Sequence, residues 1–178
     1  MNKKKLVTEM GRIDRDAFAQ SQKLPLVVVL DNVRSLHNVG SVFRTSDAFR
    51  VECIMLCGIT ATPPSAEIHK TALGAEDVVD WKYNESTMDA VAELRSQGYR
   101  IYSIELCQGS IALQDFVTAP GERYAVVLGN EVKGVQQDVV DASDGAIEIP
   151  QFGTKHSLNV SVTAGMVIWE FAKKLGLV

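Results

Sequence analysis

The sequence has few cysteines, and their spacing points to neither a metal site nor a set of disulfides. Only three cysteines occur among the 178 residues, and the C-x-x-C spacing typical of zinc sites is missing. Cys53 and Cys57 lie four positions apart in an apolar segment, so a strand there would place both thiols on one buried face. The histidines His37, His69 and His156 are scattered along the chain. We therefore expect small buried thiols and no metal.

Long uninterrupted apolar runs are also missing. No run approaches the roughly 20 residues that a membrane helix needs, and the charged start MNKKKLVTEMGRIDR lacks the apolar core of a signal peptide. A length of 178 residues fits one domain. These features predict a cytoplasmic, single-domain protein with no membrane partner.

Acidic residues outnumber basic ones, but the two kinds are unevenly distributed. The formal net charge is −4, yet residues 1–50 hold nine basic and five acidic residues, whereas the remainder holds nine basic and seventeen acidic ones. This asymmetry favours a positive face for a phosphate-bearing partner. A solvated basic N-terminus without a partner also explains it. We divide the chain into a basic N-terminal helical extension, residues 1–23, and a single domain, residues 24–178.

Strand and helix patterns alternate along the chain. Apolar and β-branched runs predict strands at 24–30, 53–57, 78–83, 100–106, 124–128 and 146–149. Helical periodicity predicts helices at 6–20, 39–49, 88–97, 135–142 and 158–175, with a long loop at 58–70. This alternation is typical of an α/β fold with a mostly parallel sheet flanked by helices.

The last predicted helix is apolar on two faces, and Ser157 is placed to cap its N-terminus. One face carries Leu158, Val162, Trp169 and Ala172. The other carries Val160, Ala164, Val167, Ile168, Phe171 and Leu175. A helix that is apolar all round must be covered on both sides. We expect one face to pack on the sheet and the other on a second copy of the chain.

The usual fingerprints of nucleotide-binding and hydrolase sites are absent from the sequence. No G-x-G-x-x-G follows a strand, and neither G-x-x-x-x-G-K-[ST] nor G-x-S-x-G occurs. A ligand of this α/β protein must therefore be held in another way.

Three polar turns follow predicted strands, and ligands of α/β proteins bind beyond the carboxyl ends of strands. The turns are N-V-G-S-V-F-R at 38–44, L-G-N-E-V-K-G at 128–134, and I-P joined to S-L-N-V over 149–160. Asn38 is expected to cap a helix, and Gly40 to let a ligand approach the backbone. Taken alone, the first turn also fits a capped helix with a solvated Arg44, and the second a glycine turn with a solvated Glu131.

Together and in this order, the turns resemble the three motifs of the SpoU-type (TrmH-like) RNA 2′-O-ribose methyltransferases of the SPOUT superfamily. The first matches N-x-G-x-x-x-R, the second L-G-x-E-x-x-G, and the third I-P…S-L-N-V. The resemblance extends over about residues 24–175.

The resemblance implies a C-terminal deep trefoil knot and a homodimer that forms through the C-terminal helix. It implies S-adenosylmethionine as cofactor, S-adenosylhomocysteine as product, and no metal. Main-chain groups near Ile104, Gly129, Ile149 and Leu158 would bind the cofactor.

The resemblance also assigns catalytic roles. Arg44 would be the central residue, and we favour a clamp on the adjacent phosphate and the developing alkoxide, because a guanidinium hardly ever loses its proton. Asn38 would orient Arg44 or the ribose, and Glu131 would hold Arg44 or a group of the partner subunit. Ser157 and Asn159 would hold phosphate or ribose oxygens.

RNA contacts are expected from Lys3, Lys4, Lys5 and Arg34, together with Arg44. The chain lacks an added N-terminal RNA-binding domain, which favours tRNA over rRNA as the substrate. One alternative is a non-catalytic RNA-binding protein of the same fold. Another is an enzyme acting on a small phosphorylated metabolite, which would need a further cofactor loop.

Overall fold

The computed structural model describes residues 2–178, and its centre is one sheet of parallel strands. The strands are β1 (Leu24–Asp31), β2 (Val51–Cys57), β3 (Trp81–Asn84), β4 (Tyr99–Ile104), β5 (Ile111–Ala112), β6 (Arg123–Leu128) and β7 (Gly145–Glu148). The helices are α1 (Arg15–Gln20), α2 (Leu36–Ala48), α3 (Ala66–Ala72), α4 (Thr87–Ser96), α5 (Gln137–Ala142) and α6 (Val160–Lys174). The strand order is β3-β2-β1-β6-β4-β7-β5, and every pair is parallel. The predicted α/β class is confirmed.

The central strands are buried on both faces of the sheet. Along β1, Leu26, Val28 and Leu30 enter one core, which also holds the buried sides of α2, α3 and α6. Val27 and Val29 enter the opposite core, with α4 and α5. All five side chains are at most 2% exposed, and burying each contributes about 1.5–3 kcal/mol. The continuous β-branched run therefore forms a strand covered on both sides, as predicted.

The strand order brings distant turns to one edge of the sheet. β1 lies between β2 and β6, and β4 lies between β6 and β7. β2 and β3 are added on one side of β1, and α4 then connects β3 to β4 in the other half of the sheet. Because the strands are parallel, the carboxyl ends of β1, β4, β6 and β7 meet at the edge where the order reverses, the usual ligand position in such sheets.

The N-terminal segment differs from the helix predicted at 6–20. A 3-10 turn at Val7–Glu9, an irregular stretch and α1 replace it. Of its apolar positions Phe18 is buried, whereas Leu6, Met10 and Ile13 are 67%, 49% and 51% exposed. Gly11 adopts a φ of 59°, a left-handed conformation that interrupts a helix.

The long loop predicted at 58–70 is partly helical, because α3 begins inside it at Ala66. Ser65 caps this helix by accepting a hydrogen bond from the Ile68 N–H. A helix of seven residues is too short for the spacing of its apolar residues to reveal it in the sequence.

α6 begins at Val160 instead of Leu158 and buries one face in the core. Val162, Met166 and Trp169 on its other face are 49%, 43% and 48% exposed. Ala172, assigned to that exposed face from the sequence, is buried. The helix therefore presents a narrower apolar surface than predicted.

No helix within residues 2–178 is long and apolar enough to cross a membrane. The same residues hold no group of three or more His, Cys, Asp and Glu side chains that could bind a metal ion. The knot, the domain division at residue 23 and cytoplasmic residence stay predictions.

Candidate active site

A cleft of about 690 Å³ lies at the carboxyl edge of the sheet, between the turns that follow β4, β6 and β7. The four residues predicted to bind a cofactor all line it. They are Ile104, Gly129, Ile149 and Leu158. Adjacent strands place two of them side by side, since Ile104 pairs with Leu128, the residue before Gly129.

The turn after β6 folds back on itself and forms one wall of the cleft. Asn130 donates its N–H to the Gly134 carbonyl at 3.0 Å, and Gly134 donates to the Asn130 carbonyl at 2.9 Å. A Cβ on Gly129 would lie under 3.0 Å from the backbone of Gly134 and Val135. Only glycine fits there, so the L-G-x-E-x-x-G pattern reflects a close approach of the backbone to itself.

The side chain of Asn130 holds the same turn from inside, a role that the sequence analysis missed. Its amide nitrogen donates to the Asn32 carbonyl at 2.7 Å, which ties the β6 turn to the end of β1. Its amide oxygen accepts the N–H groups of Val132 and Lys133 at 2.9 and 3.2 Å. Asparagine side chains stabilise turns in this way by bonding to the backbone two residues on.

Hydrogen bonds between side chains connect all three predicted motifs. Asn159 donates its amide to the Asn38 amide oxygen at 3.2 Å, and Asn38 donates to the Glu131 carboxylate at 3.1 Å. These residues are 93 and 121 positions apart in the chain. The structure therefore brings Asn38, Glu131 and Asn159 together.

Glu131 also accepts backbone N–H groups at the start of α2. Arg34 and Ser35 donate to its two oxygens at 2.9 Å each. Burial alone would raise the pKa of the Glu131 carboxyl, but the hydrogen bonds from Arg34, Ser35 and Asn38 outweigh it and lower the pKa. The ionised carboxylate thus stabilises the N-terminus of α2, and within residues 2–178 its partners do not include Arg44.

The helix caps differ from the predicted ones. Ser35, and not Asn38, caps α2 by accepting the Asn38 N–H at 3.3 Å. Asn159, and not Ser157, caps α6 by accepting the N–H groups of Ser161 and Val162. Each helix has two residues near its start whose side chains can cap it. The one that does not cap the helix can make other contacts.

Gly40 serves helix packing instead of the approach of a ligand. It is buried in α2, and a Cβ there would lie under 3.0 Å from the Thr71 hydroxyl and the Ile68 carbonyl of α3. The prediction from the sequence was wrong at this position because one glycine can permit contact with either a ligand or a neighbouring helix.

Arg44 lies on the exposed face of α2, opposite the buried Val42 and Phe43. Within residues 2–178 its guanidinium has no hydrogen-bond or ion-pair partner, and Arg44 does not line the cleft. Ser157 does line it. The catalytic roles of both residues stay predictions.

The predicted RNA-binding residues occupy two places. Arg34 is exposed beside the cleft, since its N–H bonds to Glu131. Lys3, Lys4 and Lys5 are exposed in the segment before the first 3-10 turn. No hydrogen bond among the described residues joins these lysines to the cleft.

Asp31 anchors the edge of the sheet beneath the cleft, and none of the three motifs includes it. It is fully buried at the end of β1. Its carboxylate accepts the Thr87 hydroxyl at 2.6 Å, the Gln136 N–H at 2.9 Å and the Gln136 amide at 2.8 Å. An aspartate directly after a buried strand was the available signal, but its partners lie 56 and 105 positions away.

The cleft suits a small organic ligand held largely by main-chain groups. Its volume lies in the range of about 300–1,000 Å³ that is usual for such sites. Because Gly129 and Gly134 have no side chains, the backbone of the turn after β6 is uncovered along one wall of the cleft. Glu105, Glu131 and Glu148 add carboxylates at the same cleft, which favour a ligand that carries positive charge.

Comparisons with known proteins give one consistent result. The SpoU rRNA Methylase family matches residues 25–169. The tRNA (guanosine(18)-2′-O)-methyltransferase of Aquifex aeolicus is 30% identical over 158 residues, which are 88% of this chain and 72% of the relative. The 23S rRNA (guanosine-2′-O-)-methyltransferase RlmB of Vibrio parahaemolyticus is 29% identical over 170 residues, 96% of this chain and 68% of the relative.

A solved structure is similar over most of the chain. The AdoMet-bound rRNA methyltransferase from Sinorhizobium meliloti superposes with a TM-score of 0.79 at 27% identity, covering 90% of this chain and 60% of that one. The chain thus spans between 60% and 72% of the lengths of these three relatives.

Proposed function

The chain belongs to the SpoU rRNA methylase family, a family of S-adenosylmethionine-dependent RNA methyltransferases, and we propose that it methylates a ribose 2′-hydroxyl of tRNA. The observation that carries the proposal is the hydrogen-bonded chain Asn159–Asn38–Glu131, which joins the three motifs beside one cleft. The kinship to a relative named for 23S rRNA makes ribosomal RNA the alternative substrate.

The cofactor would occupy the cleft at the carboxyl edge of the sheet. When bound, S-adenosylmethionine supplies a methyl group activated by a sulfonium. The bare backbone around Gly129, with Ile104, Ile149 and Leu158 on the facing turns, would hold it. Free N–H and C=O groups at turns and helix starts suit such binding.

The residues of this chain would bind and orient the RNA. Arg44 would clamp the phosphate beside the target ribose and stabilise negative charge on the attacking oxygen. Asn38 would hold the ribose, because its own contacts to Glu131 and Asn159 fix its orientation. Ser157 lines the cleft and would donate to a ribose or phosphate oxygen.

We propose that the enzyme acts as a homodimer through the exposed face of α6. Val162, Met166 and Trp169 form an apolar strip there, and the Trp169 ring packs edge-on against Phe49 at 5.7 Å between centroids. Phe49 follows α2, the helix that carries Arg44. A second copy on this strip would place one subunit's Arg44 near its partner. Sedimentation of Met166→Lys tests this: a variant that stays dimeric would argue against the α6 interface.

The experiment on function compares Arg44→Ala with Arg100→Ala, a control that removes another exposed arginine. Arg100 stands at the start of β4, at the opposite edge of the sheet, and pairs with Glu122 at 3.5 Å. Loss of one charge-stabilising donor lowers kcat by about 10²–10³, so Arg44→Ala should nearly abolish methyl transfer and leave cofactor binding intact. Arg100→Ala should stay close to the wild type. An Arg44→Ala enzyme with more than half of the activity would remove this residue from the mechanism.

The substrate is tested by mass-spectrometric mapping of ribose methylation in a strain that lacks the gene. Loss of one 2′-O-methyl group from tRNA supports the proposal, whereas loss from ribosomal RNA selects the alternative. Calorimetric titration of the protein with S-adenosylmethionine separates an enzyme from a non-catalytic RNA-binding protein, because only the enzyme has to bind the cofactor.

A further inference from the structure

Glu105 stands at the junction of two walls of the cleft. It is the first residue after β4 and lines the cleft next to Ile104. It faces the turn after β6, which contributes Gly129 and Gly134 to the opposite wall. The three motifs and the proposed chemistry give this residue no role beyond its share of the negative charge at the cleft.

The Glu105 carboxylate connects the main chains of the two walls. One of its oxygens accepts the N–H of Val135 at 3.0 Å, and the other accepts the N–H of Leu106 at 3.0 Å. Val135 is only 7% exposed, so its N–H depends on a partner within the protein. The acceptor is a carboxylate, and hydrogen bonds to ionised groups are shorter and stronger than neutral ones.

Gly134 leaves the space that this contact requires. A Cβ on Gly134 would lie under 3.0 Å from Oε2 of Glu105, the oxygen that accepts the Val135 N–H. The residue also has a φ of 68°, which an L side chain rarely adopts. The last glycine of the L-G-x-E-x-x-G motif is thus needed for the approach of Glu105 as well as for the turn.

We propose that Glu105 is a positioning residue for the cofactor. Its carboxylate holds the Gly134–Val135 turn against the end of β4, so that the cleft has its binding shape before S-adenosylmethionine enters. This inference rests on the proposed function. A preorganised cleft binds more tightly because the loops have less freedom to lose on binding.

The test uses Glu105→Ala and Glu105→Gln, with Glu52→Gln as the matched control. Glu52 is a half-buried carboxylate on β2 that pairs with Arg123 at 2.5 Å, away from the cleft. Three quantities are measured on the full chain: the Kd for S-adenosylmethionine by calorimetry, the melting temperature, and the exchange rate of the Val135 amide by NMR.

We expect Glu105→Ala to weaken cofactor binding by about 10- to 100-fold, the cost of one charge-assisted hydrogen bond. The Val135 amide should exchange faster in the free protein. Glu105→Gln keeps one acceptor oxygen and should recover part of the affinity. Glu52→Gln should change the melting temperature without changing the Kd.

Three results would overturn the inference. The first is an unchanged Kd in both Glu105 variants. The second is an equal loss of affinity in the Glu52 control, which would reflect stability alone. The third is a weakened Kd with unchanged exchange at Val135, which would make Glu105 a direct ligand of the cofactor. A wild-type protein that binds no S-adenosylmethionine would instead refute the proposed function, and is recognised before any variant is compared.

Discussion

The replacement of Gly40 by alanine tests directly whether this glycine serves packing between α2 and α3. An added Cβ would lie under 3.0 Å from the Thr71 hydroxyl and from the Ile68 carbonyl, where ordinary contacts are 3.4–4 Å. Thr71 can turn its side chain, but the Ile68 carbonyl belongs to the backbone of α3. The two helices therefore have to separate.

The magnitude follows from two opposing effects. Alanine in a helix interior gains about 0.5–1 kcal/mol over glycine, whereas forced expansion of a packed contact costs typically about 1–3 kcal/mol. The net effect is a loss of stability, and each kcal/mol lowers the melting temperature of a chain of this size by about 2–4 °C. We expect a lower melting temperature in circular dichroism, with the Kd for S-adenosylmethionine unchanged well below the transition.

Gly165→Ala is the matched control, since Gly165 is also inside a helix and its Cβ would meet no atom of its own chain within 4 Å. Because Gly165 lies beside Val162 and Met166 on the proposed dimer face, both glycine variants are compared in the Met166→Lys background. Gly165→Ala should raise the free energy of unfolding by about 0.5–1 kcal/mol. The reasoning is refuted if Gly40→Ala stabilises the protein as this control does. It is equally refuted if Gly40→Ala melts normally but loses the ligand, which would restore the ligand contact inferred from the sequence.

Two further predictions concern titratable groups. Hydrogen bonds lower the pKa of Glu131 below its ordinary 4.5, so its stabilising contribution is present above that pH and lost as the pH falls through the folded-state pKa. In urea unfolding, Glu131→Gln should be less stable than the wild type at neutral pH, and the difference should shrink below pH 4.5; a constant difference would contradict the assignment. Burial raises the pKa of all three thiols, that of Cys53 and of Cys57 to about 12, but Cys107 is the one of the three that lines the cleft. Iodoacetamide at neutral pH should modify Cys107 first, S-adenosylmethionine should slow that modification, and peptide mapping that finds Cys57 modified first would be the opposite result.

Much of the sheet was predictable because its strands carry a local signal. The β-branched run of β1 and the apolar segments of β2 and β6 can be recognised as strands from their composition alone. β5 has only two residues, which are too few to show the spacing of apolar residues that identifies a strand. α3 was hidden in a long loop for the same reason.

The candidate site was predicted as a set of residues, but not as a set of contacts. Asn38, Glu131 and Asn159 were singled out from motif order, and the structure joins them. Arg44, in contrast, stays on the outer face of α2. Residues that stabilise the cleft from within, such as Asn130 and Glu105, were passed over because a polar side chain in a turn has no distinguishing local pattern.

The sequence by itself determined the alternating strands and helices and the three polar turns at strand ends, because these depend on composition and period within a few residues. Only the tertiary structure decided what each polar group binds. Ser35 and Asn159 cap the two helices, so the side chain of Asn38 is available to connect two motifs. Gly40 packs against α3 instead of a ligand. Those outcomes depend on which groups from distant parts of the chain lie within hydrogen-bond distance of each other. The order of the strands in the sheet determines which groups these are.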